Sequence, residues 1–428
     1  MAKKKEGGKI MKRSYSVAII LVIALILLGI FAIASAQKPA QAQTSEANIV
    51  KIGLPMPLSG PASPWGLIPT PFREAWIEVF NREGFDVAGK NYKLKLIQVD
   101  DQNSSEGGAA AAKQLIYGDG CKFFAGHWSW NFPAVAAVTN PAKVIFVTRT
   151  GNQALPKSWG GLYDPKTMPY VVFGSPSEEI FIANVFALVK KFPESKQLGM
   201  LDCTLGAGAG WDQVFDVLKK AGIKYHMERF PLGTTDFAPY ITRFREAGCK
   251  VVYIAGWVGE TMQFAKQRWE MGYKDMVVGS SGPFVNIDMY NTVCGHDAAQ
   301  GLIGQYWAPW DYKKTKVNPK YIAMCKEALK IAAQKTGKPY EYTGEIGWVP
   351  SHTLILVQAM QKAGTVTDTD AIMKAIRGGT FDTTAGKWTM SGAKTYGSPV
   401  VFGSPSALCE IKGDKEVYLT EDPTPLLP

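Results

Sequence analysis

From residue 49 onward, runs with a period of two residues alternate with runs of period near 3.6. "IVKIGLPMPL" (49–58) reads as a strand, "FREAWIEVFNREG" (72–84) has helical spacing with Gly84 as its stop, and "YKLKLIQVDD" (92–101) is a second strand ending in polar residues. "SSEGGAAAAKQLIYGDG" (104–120) is helical, with Ser104, Ser105 and Glu106 in its first turn, and "CKFFAG" (121–126) is a third strand. The alternation restarts at residue 178: helix 178–192, strand 197–202, helix 211–222, strand 223–231, helix 238–248, strand 250–257, helix 260–272 and strand 275–281. Strands alternating with helices of roughly ten to fifteen residues imply parallel sheets with crossover helices. The pattern therefore predicts an α/β protein of two Rossmann-like open-sheet lobes. Such sheets bind ligands in the crevice beyond the carboxyl ends of their strands, so function is expected in the loops that follow strands.

One internal echo stands apart from this alternation. "VVFGSPS" occurs at 171–177 and again at 400–406. Two readings stand: convergent strand-turn signals, or two segments crossing side by side between lobes as hinge strands.

Length agrees with two lobes, because 428 residues exceed what one hydrophobic core usually serves. The formal charge of +10 changes the picture little. Residues 1–36 hold six Lys or Arg against the single acid Glu6, and so carry half of it. No arginine-rich run or basic stripe interleaved with aromatics follows, so nucleic acid is not an expected partner. Lys12 and Arg13, the uncharged run 17–34 and small residues at 34–36 and 40–42 read as a secretory signal, 1–36 or extending to 42. The apolar run has 18 residues, at the threshold of a membrane span, so an uncleaved anchor helix stays open, as does a start at Met11. Either way the remainder is exported. Six cysteines are widely spaced without C-x-x-C. Cys121, Cys203 and Cys249 sit in or beside apolar strand runs and read as buried thiols, while pairing of Cys294 with Cys325 stays open.

The post-strand loops are "PMPLSGPASPWG" (55–66), "HWSWNFP" (127–133), "TRTGNQ" (148–153), "CTLGAGAGW" (203–211), "GWVGE" (256–260) and "GSSGPF" (279–284). They share small hydroxyl residues, glycines and large aromatics: hydroxyls and free N–H groups suit a carboxylate, and tryptophans form an apolar wall. Trp65, Trp130 and Trp257 recur at three strand ends, and Pro133 suits the first turn of the helix that follows "HWSWNF". Catalytic constellations are weak. His127, His226, His296 and His352 show no metal-ligand spacing, and no G-x-S-x-G elbow surrounds a serine. In "GAGAG" the sixth fingerprint position is Trp211, so a tight turn is the better reading than a dinucleotide site. No cofactor or metal is expected, and no enzymatic reaction.

"VKIGLPMPLSGPASPWG", "VDDQNSSEGGAAAAKQLI", "KFFAGHWSW", "TDFAPYITRFREAGCKVVYIAGW" and "QRWEMGYKDMVVGSSG", in this order, resemble the periplasmic leucine/isoleucine/valine-binding protein family over roughly 49–412. These are the type I substrate-binding proteins of ABC importers. The resemblance implies two lobes, 49–174 plus 304–395 and 175–303 plus 396–420, joined by a three-segment hinge and closing on an amino acid or related carboxylate. It also implies a periplasmic or otherwise extracytoplasmic monomer that delivers its ligand to an ABC permease in the inner membrane. A membrane-anchored ligand-sensing receptor domain is the alternative.

By resemblance, Trp65 is the first-loop aromatic, Ser129 and Trp130 the carboxylate loop, Thr150 and Asn152 the next loop, and Trp257 the aromatic covering the ligand from the second lobe. The family's ammonium-binding glutamate falls at or next to Ser281 in "GSSGPF", and its second-lobe tyrosine falls in "GAGAG", so neither is present. The family's first-lobe cysteine pair is also missing, with Asn103 and Ser129 near those places. Loss of the acid points to a carboxylate without an amine, an aryl or short hydrophobic acid, unless Glu260 substitutes from one turn away. His127, Glu345 and Trp348 are secondary candidates, Trp348 and Glu345 with interface packing as the plainer role.

Overall fold

The computed structural model describes residues 48–425, apart from 128–130, 150–165, 175–176, 196, 205–210, 232, 257, 281, 283, 285, 308–309, 311–314, 344–345, 404 and 420–423. The first sheet contains β1 (Ile49–Met56), β2 (Phe85–Val87), β3 (Lys90–Asp100), β4 (Phe123–His127), β5 (Ile145–Thr148) and β6 (Val171–Phe173), in the order β2-β3-β1-β4-β5-β6. β1, β4, β5 and β6 run parallel, and β2 with β3 forms an antiparallel hairpin. β5 and β6 are buried along their whole length, as parallel strands covered on both faces must be, and their sequences are accordingly continuous apolar runs.

The predicted boundary signals operate locally. The helix Thr70–Glu83 ends where Gly84 takes φ +73° and donates its N–H to the Phe80 carbonyl. The Ser104 side chain accepts from the Gly107 N–H at the start of the helix Ser105–Lys113, and Pro133 occupies the first turn of the helix Phe132–Thr139.

The second sheet contains β7 (Gln197–Cys203), β8 (Tyr225–Phe230), β9 (Cys249–Ala255), β10 (Val277–Ser280) and β11 (Ile303–Trp307), all parallel. A separate hairpin joins β12 (Thr380–Thr383) to β13 (Gly386–Thr389). The chain then returns to the second sheet through β14 (Pro405–Lys412), antiparallel to β11, followed by β15 (Lys415–Tyr418) and β16 (Thr424–Pro425). β11 lies in this sheet, so the chain leaves it after Trp307, whereas the boundary drawn from sequence at 303/304 falls at the start of that strand. The helix Pro319–Thr336 packs on the helix Thr70–Glu83, and the helix Trp348–Ala363 packs on β4 and β12, so this stretch joins the first lobe.

The two "VVFGSPS" segments run side by side. Phe173 and Val401 form a parallel bridge, in which the Phe173 N–H donates to the Val400 carbonyl at 2.9 Å and the Phe402 N–H to the Phe173 carbonyl at 2.8 Å. One segment then leads from the first sheet into the helix Ser177–Lys191, and the other leads into β14 of the second. The side-by-side reading of the echo holds for these residues. All six cysteines are buried; Cys294 belongs to a second-lobe cluster and Cys325 to the first-lobe core, so they do not pair with each other.

Candidate functional site

Six of the ten sequence-derived candidates, Ser129, Trp130, Thr150, Asn152, Trp257 and Ser281, lie outside the described residues, as does Glu345. For His127 the backbone is described, as the last residue of β4. β4, β5, β9 and β10 end one to four residues before these six positions, so each candidate follows the carboxyl end of a parallel strand in the sequence.

Trp65 is described, and it explains the loop that holds it. Beyond β1 the chain turns through a short helix, Pro64–Leu67, where a Cβ on Gly66 would stand 2.0 Å from the Pro57 carbonyl oxygen. Only glycine permits that approach. The first lobe grips the backbone at several points. The fully buried Arg73 donates from Nη1 to the Gly66 carbonyl at 3.2 Å and from Nη2 to the Trp65 carbonyl at 3.4 Å. The Thr70 hydroxyl donates to the Gly66 carbonyl at 2.8 Å, and the Tyr340 hydroxyl donates to the Ile68 carbonyl. At the other end, Asp100 Oδ1 accepts from the Leu58 N–H and the Gln102 N–H, both at 2.9 Å. Burial opposes ionisation of Asp100, but the Ser59 hydroxyl and these backbone N–H groups together hold its carboxyl below the ordinary aspartate value. Asp100 therefore staples the loop to the end of β3.

The Trp65 ring itself goes elsewhere. It is buried to 2% exposure in a cluster with Leu201, Phe230, Ile254 and Phe284, all from the second lobe. A Cβ on Gly282 would stand 3.0 Å from Trp65 Cη2 and 3.3 Å from Cζ2, so the absence of a side chain after β10 makes room for the indole. One side chain thus has its backbone fixed by one lobe and its ring packed in the other.

Behind the first-lobe strand ends lies a polar element that the sequence reading missed. Arg149, the residue after β5, is fully buried with its guanidinium 5.3 Å from the Trp348 ring centroid. Trp348 also packs against His352 at 5.4 Å and Trp388 at 5.7 Å, so it is a core residue of the first lobe beneath the crevice. The Gly126 N–H donates to His352 Nδ1 at 2.9 Å, which fixes that nitrogen as an acceptor and the ring as neutral. Burial, then the charge of Arg149, pushes the His352 pKa down to about 3. A lone arginine at the end of the apolar run "VIFVT" was the signal available.

Glu260 sits in the first turn of the helix Val258–Glu270, buried, with Oε1 accepting from the Gly233 N–H at 3.3 Å. It ties the loop after β8 to that helix. Among the described residues, no three His, Cys, Asp or Glu side chains gather as a metal site.

Comparison with known proteins agrees with this geometry. The family model described as periplasmic binding protein matches residues 49–403. Among curated proteins, the Leu/Ile/Val-binding protein homolog 3 of Brucella melitensis is 26% identical over 361 residues, covering 82% of this chain and 89% of its own length. Among solved structures, a leucine-binding protein from Thermotoga maritima superposes with a TM-score of 0.69 at 16% identity, covering 87% of this chain and 98% of its own. An ABC-transporter solute-binding protein from Rhodopseudomonas palustris, in complex with p-hydroxybenzoic acid, gives 0.68 at 20% identity, covering 89% and 98%.

Proposed function

The chain belongs to the periplasmic binding protein family, and on that premise we propose that it is the extracytoplasmic solute-binding component of an ABC importer. It closes on a small hydrophobic or aromatic carboxylate and hands it to a permease as a monomer, without a reaction. The observation that carries this reading is Trp65, anchored by the first lobe and buried in the second against Gly282, because it spans the crevice at which both sets of strand ends meet. On this reading the first lobe is 49–174 with 308–395 and the second is 175–307 with 396–420, so that β11 stays with the second sheet.

The ligand class rests on charge. At the place of the family's ammonium-binding acid stands the neutral Ser281, and Glu260, the substitute considered from sequence, accepts from Gly233. Arg149 adds a buried positive charge behind the first-lobe loops. Both features disfavour an ammonium and favour an anion. Ser129, Thr150 and Asn152 are assigned to the carboxylate, and Trp130 and Trp257 to the apolar body. A relative of the same fold, from R. palustris, was crystallised with p-hydroxybenzoic acid, an amine-free aryl acid.

The test is a thermal-shift and calorimetric panel of benzoate, 4-hydroxybenzoate, phenylacetate, leucine and valine. A ligand at about 100 times its Kd adds about 2.7 kcal/mol of stability. Stabilisation by aryl carboxylates and not by leucine is expected. Stabilisation by leucine or valine overturns the amine-free reading, and conversion of any bound ligand overturns the non-enzymatic one.

A further inference from the structure

Two first-lobe strands that lead into the candidate loops, β4 and β5, end on one buried cluster, and the same cluster carries the crossing between lobes. It consists of Trp348 and His352 from the opening turns of the helix Trp348–Ala363, Trp388 from β13, and Phe402 from the second "VVFGSPS" segment, all buried. The rings are in contact. His352 lies 5.4 Å from Trp348, 6.0 Å from Trp388 and 5.6 Å from Phe402, and Trp388 stacks on Phe402 at 5.0 Å with 12° between the planes.

β4 reaches the cluster at Gly126. Its N–H donates to His352 Nδ1 at 2.9 Å, and a Cβ there, at φ +83°, would stand 2.4 Å from Val349 Cγ2. β5 reaches it through Arg149, whose guanidinium lies 5.3 Å from the Trp348 ring centroid. The backbone of Arg149 meets the other crossing segment, where a Cβ on Gly174 would stand 1.6 Å from the Arg149 carbonyl oxygen. The Gly174 N–H also donates to the Thr148 carbonyl at 3.1 Å, and the Phe402 N–H to the Phe173 carbonyl at 2.8 Å. Close packing leaves no room for one member to shift alone. A swing of the lobes that displaces Gly174 or Phe402 therefore displaces Arg149 and His352, and with them the ends of β5 and β4. We infer that Arg149 and His352 are positioning residues that couple these two strand ends to the hinge, so that closure and loop placement are one transition. The inference rests on the binding-protein reading and adds to it a route inside the first lobe, apart from the contact that Trp65 makes with the second.

Amide hydrogen exchange of the whole protein tests this, read at Gly126, Phe173 and Phe402 in the parent, Arg149→Lys, Phe402→Leu and the double variant. Arg149→Lys is expected to speed exchange at Phe173 and Phe402 at least tenfold, and Phe402→Leu to do the same at Gly126, with β1 and β3 as protected as in the parent. In the double variant the two factors should fall short of their product, because both residues act through one cluster. Unchanged exchange at the distant amides, factors that multiply, or an even loss of protection across the first sheet in both single variants overturns the inference, the last because the residues would then be ordinary core. These measurements use no added ligand, so they stand apart from the ligand class. When 4-hydroxybenzoate is added to the parent, slowing at Gly126 and Phe402 together supports the coupling, slowing at Gly126 alone overturns it, and no slowing at either counts against the ligand class only.

Discussion

Replacing Trp65 with alanine removes a ring whose contacts belong to two lobes, so its effect separates closure from folding. An aromatic side chain of this kind buries roughly 150–250 Å², worth about 4–6 kcal/mol at about 25 cal/mol per Å². Truncations of buried tryptophan cost about 3–5 kcal/mol. The ring packs on second-lobe residues and Gly282, whereas its backbone is held by Arg73 of the first lobe. If about 3 kcal/mol of the loss falls on the closed arrangement, the apparent Kd for an aryl carboxylate rises by roughly two orders of magnitude. Trp76→Ala is the control, since that ring is fully buried inside the first-lobe core and reaches no second-lobe residue of the cluster holding Trp65. Calorimetry gives Kd, small-angle scattering reports compaction on ligand addition, and differential scanning calorimetry gives Tm. Trp65→Ala is expected to lose affinity and compaction while lowering the ligand-free Tm less than Trp76→Ala does. A Kd within about threefold of the parent, together with a Tm loss as large as that of Trp76→Ala, would show that Trp65 is plain core and refute the reasoning. Gly282→Ala is expected to act in the same direction and more weakly, because its Cβ must displace Trp65 Cη2 from a separation of 3.0 Å.

The folded-state pKa of Asp100 lies below its ordinary value, so its contribution to stability is present above about pH 4 and is lost as pH falls through the lower folded value. Asp100→Asn should therefore lower Tm at neutral pH and flatten the loss of Tm in acid; an unchanged acid limb counts against the staple. His352 has its folded pKa depressed to about 3 against an ordinary 6.5, so the stability it confers is complete above 6.5 and declines as pH falls toward 3. His352→Asn should remove that part of the pH dependence, measured by denaturant melts at each pH. Burial raises the thiols of Cys121, Cys294 and Cys325 to about 12 and that of Cys249 to about 11. The native protein should leave Ellman's reagent unreacted and release all six thiols on denaturation without reductant; fewer than six would reveal a disulfide.

How much of this was legible in the sequence follows from the range of each interaction. Strands such as β9 read correctly because burial on both faces demands a continuous apolar run, and helix boundaries read correctly where Ser104, Pro133 or Gly84 satisfies or ends a backbone locally. The hairpin β12–β13 was not anticipated, since strands of four residues offer too few inward positions to establish a period. Trp65 was placed at the site by its loop and its resemblance, but its destination in the second lobe depends on Gly282, more than two hundred residues away. Arg73 and Arg149 were invisible for a different reason. The expected place of an arginine is the surface, and only the tertiary structure shows Arg73 bonded to loop carbonyls and Arg149 lying over an indole. Asp100 and Asp101 stand in the stretch "VDDQNSSEGGAAAAKQLI" that carries the resemblance, yet the role of Asp100 as a loop staple needed the Leu58 N–H in view.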